Sequence, residues 1–131
     1  MCYYFSACDF VVIVVEAALV SSPLNTAVIQ GSAVTLRCGS DVSNAFIKWC
    51  ESYDVTTCNR YSTIYNGYSY ISNPLKFNVT KLNNDTYVTR DLNIKSIQLN
   101  DAGVYLCEER IPGVAGVTDS RSAQVIVLGN Y

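Results

Sequence analysis

The sequence contains no histidine among its 131 residues. Histidine is the most frequent general base and metal ligand in proteins, and it completes the Ser-His and Cys-His nucleophile pairs. An enzyme built without it would depend on a carboxylate pair or a lysine base, and the sequence has no pattern typical of either. We therefore expect a protein that is not an enzyme and that has neither a cofactor nor a metal site.

Charge is also scarce: charged residues make up 15% of the chain, and the formal net charge is −2. The nine basic residues are spread thinly and form no stripe that would neutralise phosphates. This distribution argues against binding to nucleic acid or to anionic lipid surfaces. Half of the residues are apolar, which is enough for the core of one domain.

Long apolar runs are absent, since no stretch approaches the roughly 20 residues of a transmembrane helix. A short run, Phe10 to Val15, predicts a signal peptide over residues 1–20, with Val15-Glu16-Ala17 as the cleavage pattern. The acidic Glu16 and the lack of a basic residue before the run are untypical. An inaccurate start site or a cytosolic N-terminal strand are the alternatives. Removal of the peptide would leave four of the six cysteines, and we expect an extracellular protein, secreted or the ectodomain of a plasma-membrane protein.

From Ala27 onward, apolar and polar residues alternate with a period of two in short segments such as 33–38, 75–79 and 87–94. Turn residues separate these segments, and none has the stripe of an amphipathic helix. Eight or nine short strands of this kind predict an all-β sandwich.

Two cysteines and a tryptophan mark the centre of this pattern: Cys38, Trp49 and Cys107. The second cysteine ends the segment 101–107, which has the form D-x-G-x-Y-x-C. This combination resembles the immunoglobulin superfamily, and the long interval between the cysteines leaves room for the C′ and C″ strands of its V-set. The resemblance covers residues 24–128.

The resemblance implies a two-sheet antiparallel Greek-key sandwich of about nine strands. It implies a disulfide bond between Cys38 on strand B and Cys107 on strand F, with Trp49 of strand C packed against the bond. Tyr105 takes the position of the tyrosine corner, where its hydroxyl binds nearby backbone, and Gly103 suits a sharp entry into strand F.

A basic residue at the start of strand D usually pairs with the aspartate of this motif in V-set domains. Lys76 occupies that place here, so the resemblance implies an ion pair between Lys76 and Asp101. A solvated lysine is the alternative, and lysine lacks the planar fork of arginine.

Cys50 directly follows Trp49, so alternation directs it away from the core and onto the solvent side of strand C. With Cys58 it would form a second disulfide that closes the C–C′ hairpin on the sheet surface. This pair is similar to that of the polymeric immunoglobulin receptor and of single-V-domain leukocyte receptors of the CMRF and triggering-receptor type. Strand F departs from that group because it lacks their tryptophan. Zinc binding is the alternative, but the spacing of the pair is unusual for zinc ligands.

Two glycosylation sequons begin at Asn78 and Asn84. Both fall in the D–E region, and we expect them on the sheet away from the binding end, where a glycan would not block recognition.

The three loops at the binding end of a V domain correspond to residues 39–45, 66–72 and 109–120. The third has an apolar tip, which is unfavourable without a partner, and the second is rich in tyrosine, a residue favoured at recognition surfaces. The candidate ligand-binding residues are Tyr61, Tyr65, Tyr68, Tyr70, Ile111, Val114 and Val117. Alternatively, the tyrosines pave the sheet edge and the loop tip folds onto its own framework.

Two functions fit these features. The first is an immune-type receptor or secreted V domain that binds a protein, glycan or lipid ligand through its loop end. The second is an adhesion module in which the C-C′-F-G sheet faces of two V domains pair as a homodimer or heterodimer. An exposed apolar patch on the third loop would favour the first, and one on the sheet face would favour the second.

Overall fold

The computed structural model describes residues 19–52, 58–59 and 61–129. In this part of the chain the strands are β1 (Leu19–Ser21), β2 (Thr26–Ile29), β3 (Val34–Leu36), β4 (Gly39–Ser40), β5 (Phe46–Ser52), β6 (Thr63–Tyr65), β7 (Phe77–Asn83), β8 (Val88–Ile94), β9 (Gly103–Arg110) and β10 (Asp119–Leu128), and a 3₁₀ turn spans Leu99–Asp101. The predicted signal peptide lies outside the described residues except for Leu19 and Val20, which belong to β1.

The strands form two five-stranded sheets. In the first, the order is β1, β4, β8 and β3, and β7 also pairs with β8. In the second, the order is β2, β10, β9, β5 and β6, with β2 parallel to β10 and the other neighbours antiparallel. The predicted all-β, two-sheet antiparallel sandwich is confirmed.

One predicted element, the C″ strand, is reduced to a single bridge between Tyr65 and Ile71. The chain turns back directly after β6, where Gly67 has a φ of +93°, and turns again at Asn73, where φ is +54°. Strand pairing cannot extend between two such closely spaced turns. β3 and β4, in contrast, pair with β8 in one continuous register and amount to one broken strand.

The core lies between the sheets and follows the period of two. In β9, Tyr105 and Cys107 face inward and have no solvent exposure. The same is true of Trp49 in β5. Cys38 and Cys107 form a disulfide with their Cα atoms 6.5 Å apart, which joins the two sheets. The Trp49 indole donates a hydrogen bond to the Arg90 carbonyl over 2.6 Å, so the buried N–H group is satisfied.

The start of β9 is held by a group of polar contacts. The Tyr105 hydroxyl donates to the Asp101 carbonyl over 2.6 Å, and Lys76 Nζ lies 2.5 Å from Asp101 Oδ1. The other carboxylate oxygen accepts the Gln98 N–H over 2.7 Å. Burial, with a smaller contribution from the charge of Glu51, raises the pKa of Tyr105 well above its ordinary value, so the hydroxyl remains a proton donor.

Candidate functional site

The loops cluster at the end of the sandwich where β9 finishes, which we call the loop end. Residues 41–45 follow β4, residues 66–70 follow β6, and residues 111–118 connect β9 to β10. Residues 84–87, between β7 and β8, belong to the same end, because Val88 pairs with both Ser40 and Asn83. The loop end therefore consists of four segments.

Glu109, near the end of β9, ties the first and third loops together and is fully buried. The hydroxyls of Ser40 and Thr118 each donate to one of its carboxylate oxygens, and the Thr118 N–H donates to its carbonyl over 2.9 Å. Ser40 Oγ in turn accepts the Val42 N–H over 3.0 Å. Because each carboxylate oxygen has a donor, this network fixes the bases of both loops.

The third loop is fixed by its own turn chemistry. Residues Ile111 to Val114 form a β-turn in which the Val114 N–H donates to the Ile111 carbonyl over 3.0 Å. Pro112 in the second position and Gly113 in the third, with a φ of +86°, are typical of a type II turn. Ile111 packs against the core, whereas Val114 and Val117 are 53% and 41% exposed. The loop thus presents two apolar side chains on a preorganised backbone.

The second loop is organised by Asn66. Its side-chain oxygen accepts the N–H groups of Tyr68, Ser69 and Tyr70 over 2.9, 3.2 and 3.1 Å. Gly67 supplies the left-handed conformation that this tight turn requires. The exposed Tyr68 is therefore carried on a defined turn.

A hollow of about 330 Å³ separates the first loop from the second loop and β7. The rings of Phe46 and Tyr68 meet there with centroids 5.2 Å apart, and Lys81 and Arg90 also line it. Lys81 Nζ donates to the Tyr68 carbonyl over 3.2 Å and lies 5.5 Å from the centre of the Tyr65 ring. The hollow combines aromatic surface with positive charge, which suits acidic or aromatic groups of a ligand.

The family model of the immunoglobulin V-set domain matches residues 21–128, which is most of the chain and nearly all of its described part. The chain belongs to the immunoglobulin V-set family. The family resemblance of the cysteine, tryptophan and D-x-G-x-Y-x-C pattern is thereby confirmed.

Solved structures with the same fold include several immunoglobulin domains. The RIG-5 IG1 homodimer has a TM-score of 0.64 at 15% identity, over 82% of this chain and 92% of that one. The NK cell receptor NKp44, a triggering partner in natural cytotoxicity, has a TM-score of 0.59 at 18% identity, over 82% and 100%. Dpr2 Ig1-Ig2 in complex with DIP-Theta Ig1-Ig3 has a TM-score of 0.58 at 16% identity, over 84% and 33%. No curated protein sequence matches significantly. These identities establish the shared fold alone.

The four candidate tyrosines of this V-set domain do not lie together. Tyr65 is 1% exposed and belongs to the core. Its predicted place on a binding surface is therefore wrong, because Tyr65 lies at the end of β6, before a turn, and faces inward. Tyr68 lies in the hollow at the loop end, whereas Tyr61 and Tyr70 line a different cleft that also contains Glu51. The candidate residues left at the loop end are Tyr68, Val114 and Val117, with Ile111 beneath them.

The second disulfide, between Cys50 and Cys58, has its Cα atoms 5.7 Å apart. Cys50 faces away from the core, as alternation predicts, but it is fully buried rather than exposed to solvent. Its neighbour Leu106, on the same outer face, is 1% exposed. The Cys58 N–H donates to Glu108 Oε2 over 3.1 Å, so Cys58 lies against the sheet face. Little apolar surface is left on the centre of this face.

The sequon residues Asn78 and Asn84 are both exposed. Asn78 accepts a hydrogen bond from Asn93 over 2.6 Å on the outer face of the first sheet. Asn84 accepts the Thr86 N–H over 2.8 Å within the turn between β7 and β8. Because that turn belongs to the loop end, the expected placement of Asn84 away from the binding end is wrong.

Within the described residues, no group of three or more histidine, cysteine, aspartate or glutamate residues is arranged to hold a metal ion. No helix in the same part of the chain is long and apolar enough to cross a membrane.

Proposed function

We propose that this V-set domain is a non-enzymatic extracellular recognition module, of the receptor or secreted class, that binds a protein through its loop end. The observation that carries the proposal is the third loop, where the exposed Val114 ends the β-turn and the exposed Val117 precedes Thr118, whose N–H is bonded to the Glu109 carbonyl. Apolar side chains held in this way add contact area without an ordering cost on binding. The hollow beside the first and second loops adds aromatic and cationic contacts.

The assemblies in which two of the similar folds were solved support a protein ligand. NKp44 is a receptor, and the RIG-5 and Dpr2 structures are assemblies of immunoglobulin domains. The two disulfides support an oxidising, extracellular location. Cleavage at the Val15-Glu16-Ala17 pattern, before the end of the predicted signal peptide at residue 20, would leave Leu19 in β1, where its N–H donates to Asp119 over 2.9 Å. Glycans at Asn78 and Asn84 would cover the first sheet and flank the loop end.

The test is binding of fluorescent tetramers of the full chain to a panel of cells. Val114→Asp with Val117→Asp should reduce binding about tenfold or more, because a buried charge would replace each apolar contact. Ile126→Asp with Leu128→Asp is the matched control: these residues are 48% and 51% exposed, at the opposite end of the sandwich. Protease treatment of the cells should abolish binding if the ligand is a protein. Equal loss in both variants would contradict the proposal.

Pairing of two V domains through the β6-β5-β9-β10 face is the alternative, favoured by the likeness to a domain solved as a homodimer. Sedimentation equilibrium of the wild type and of Ser122→Arg tests it, since Ser122 is exposed on the outer face beside Leu106. A dimer that the substitution disrupts would favour adhesion. A monomer at all concentrations would favour the loop end.

A further inference from the structure

A second cleft, of about 540 Å³, lies toward the end of the sandwich opposite the loop end. It opens between the edge of the second sheet at β6 and the 3₁₀ turn that leads into β9. The reduction of C″ to a single bridge leaves this edge uncovered by a full strand. Its volume is in the range of pockets that hold a small molecule or a side chain of a bound protein.

Glu51 is the acidic residue of this cleft. Because it lies two residues beyond Trp49 in β5, it points inward, and its Oε2 lies 3.5 Å from the position that a Cβ on Gly103 would occupy. The ion pairs among the described residues do not include Glu51, since Lys76 is paired with Asp101. Burial and, to a smaller extent, the charge of Asp101 raise the pKa of Glu51. Among the described residues, Lys76 lowers the pKa of Glu51, but its effect is smaller than those of burial and of Asp101.

Two tyrosine side chains line the same cleft as the Glu51 carboxylate. Tyr61 and Tyr70, which line it together with Glu51, are 86% and 51% exposed. Ring faces attract cations, and arginine in particular stacks on them through its planar guanidinium group. Thr63 and Asn100 add polar groups to the wall.

We propose that this cleft binds the cationic side chain of an arginine or lysine on a protein partner, with Glu51 as the counter-ion and Tyr61 and Tyr70 as ring faces. An anionic ligand would be repelled by Glu51, and a purely apolar one would leave its carboxylate without a partner. This site goes beyond the function proposed for the loop end, because the cleft shares no lining residue with the hollow at the loop end, and Glu51 and Gly103 lie toward the other end of β9 from Val114 and Val117.

The test is a titration of the full chain, followed by NMR, with Nα-acetyl-arginine methylamide, the matching lysine derivative and the matching citrulline derivative. Citrulline has the shape of arginine without its charge. We expect saturable shifts of the backbone signals of Glu51, Thr63 and Gly103 with arginine or lysine, and none with citrulline. The relative affinity of arginine and lysine distinguishes the guanidinium from the ammonium group.

Glu51→Gln should weaken binding of the arginine probe at least tenfold, and Asp85→Asn, at an exposed carboxylate in the turn between β7 and β8, should leave it unchanged. Binding should also weaken as the pH falls through the raised pKa of Glu51, because protonation removes the counter-ion. Tyr61→Ala with Tyr70→Ala removes the two ring faces and leaves the core intact. This second variant should also weaken binding of the arginine probe. Equal shifts with citrulline, no shift with either cation, or full binding by Glu51→Gln would overturn the proposal.

Discussion

The two ends of the sandwich hold their inward-facing glutamates in different ways. At the loop end, Glu109 is fully buried, and the hydroxyls of Ser40 and Thr118 donate to its two oxygens. At the opposite end, Glu51 is only partly buried, and no described residue forms an ion pair with it. Burial alone therefore does not separate a structural carboxylate from one available to a ligand. The donors around the carboxylate make that distinction.

The difference has opposite consequences for stability. A buried carboxylate with a donor for each oxygen holds its surroundings together, and its removal leaves those donors unsatisfied. A carboxylate whose pKa is raised by burial instead lowers the stability of the folded state at neutral pH. Residues kept despite such a cost are common at binding sites. Substitutions of Glu109 and Glu51 should therefore change the free energy of unfolding in opposite directions.

Glu109→Ala should have the largest effect, lowering the free energy of unfolding by about 3 kcal/mol, from the cavity and the two unsatisfied hydroxyls. Urea denaturation measures this. Glu109→Gln is the matched control and should retain most of the stability, because its amide can still bond both hydroxyls. A change below about 1 kcal/mol for Glu109→Ala would show that the network does not hold the loops.

Cys50→Ser with Cys58→Ser should lower the free energy of unfolding by about 2–3 kcal/mol, the loop-entropy value for so short a loop, and leave the domain folded. The bridge connects β5, which carries Glu51, to the segment before Tyr61. The double variant should therefore also weaken binding of the arginine probe, since the cleft is less preorganised. Unchanged probe binding would make this bridge purely structural.

Lys76→Ala should have a smaller effect, a loss of about 0.5–1.5 kcal/mol, as expected for a partly buried ion pair. The Lys76 side chain is 24% exposed and that of Asp101 is 9% exposed. A double-mutant cycle with Asp101→Asn measures the coupling energy between the two side chains. A coupling energy of zero would show that Lys76 is a solvated lysine. The variant should also raise the pKa of Glu51 further, because Lys76 lowers it.

The framework of the fold could be predicted from the sequence because each of its residues has one strong role. Cys38, Trp49, Cys107 and Tyr105 carry the family resemblance, and all four are fully buried in the structure. The burial of Cys50 could not be predicted in this way. Alternation gives the face of a sheet, but whether another segment covers that face is a tertiary property.

The candidate site was predicted less completely, for a related reason. Tyrosine content indicated a recognition surface, but Tyr65, Tyr68 and Tyr70 diverge because a tight turn separates them. Two features could not be found from the sequence because they depend on how the sheets pack: the hollow lined by Phe46, Lys81 and Arg90, and the contacts of Glu109 with Ser40 and Thr118. One signal was available: Glu109 lies two residues beyond the inward-facing Cys107, and a charged residue at an inward position indicates a special role.

The contrast between the two ends is tested most directly by the pH dependence of unfolding of the wild type and of Glu51→Gln. Because the pKa of Glu51 is raised above its ordinary value of 4.5, the folded state binds more protons than the unfolded state between the two pKa values. The free energy of unfolding of the wild type therefore falls as the pH rises through this interval. Denaturant unfolding should show Glu51→Gln to be more stable than the wild type at pH 7, with the advantage shrinking as the pH falls from the raised pKa of Glu51 toward the ordinary glutamate value. A variant that is less stable at pH 7, or whose stability difference does not change with pH, would contradict the account of Glu51 as a carboxylate held for a ligand.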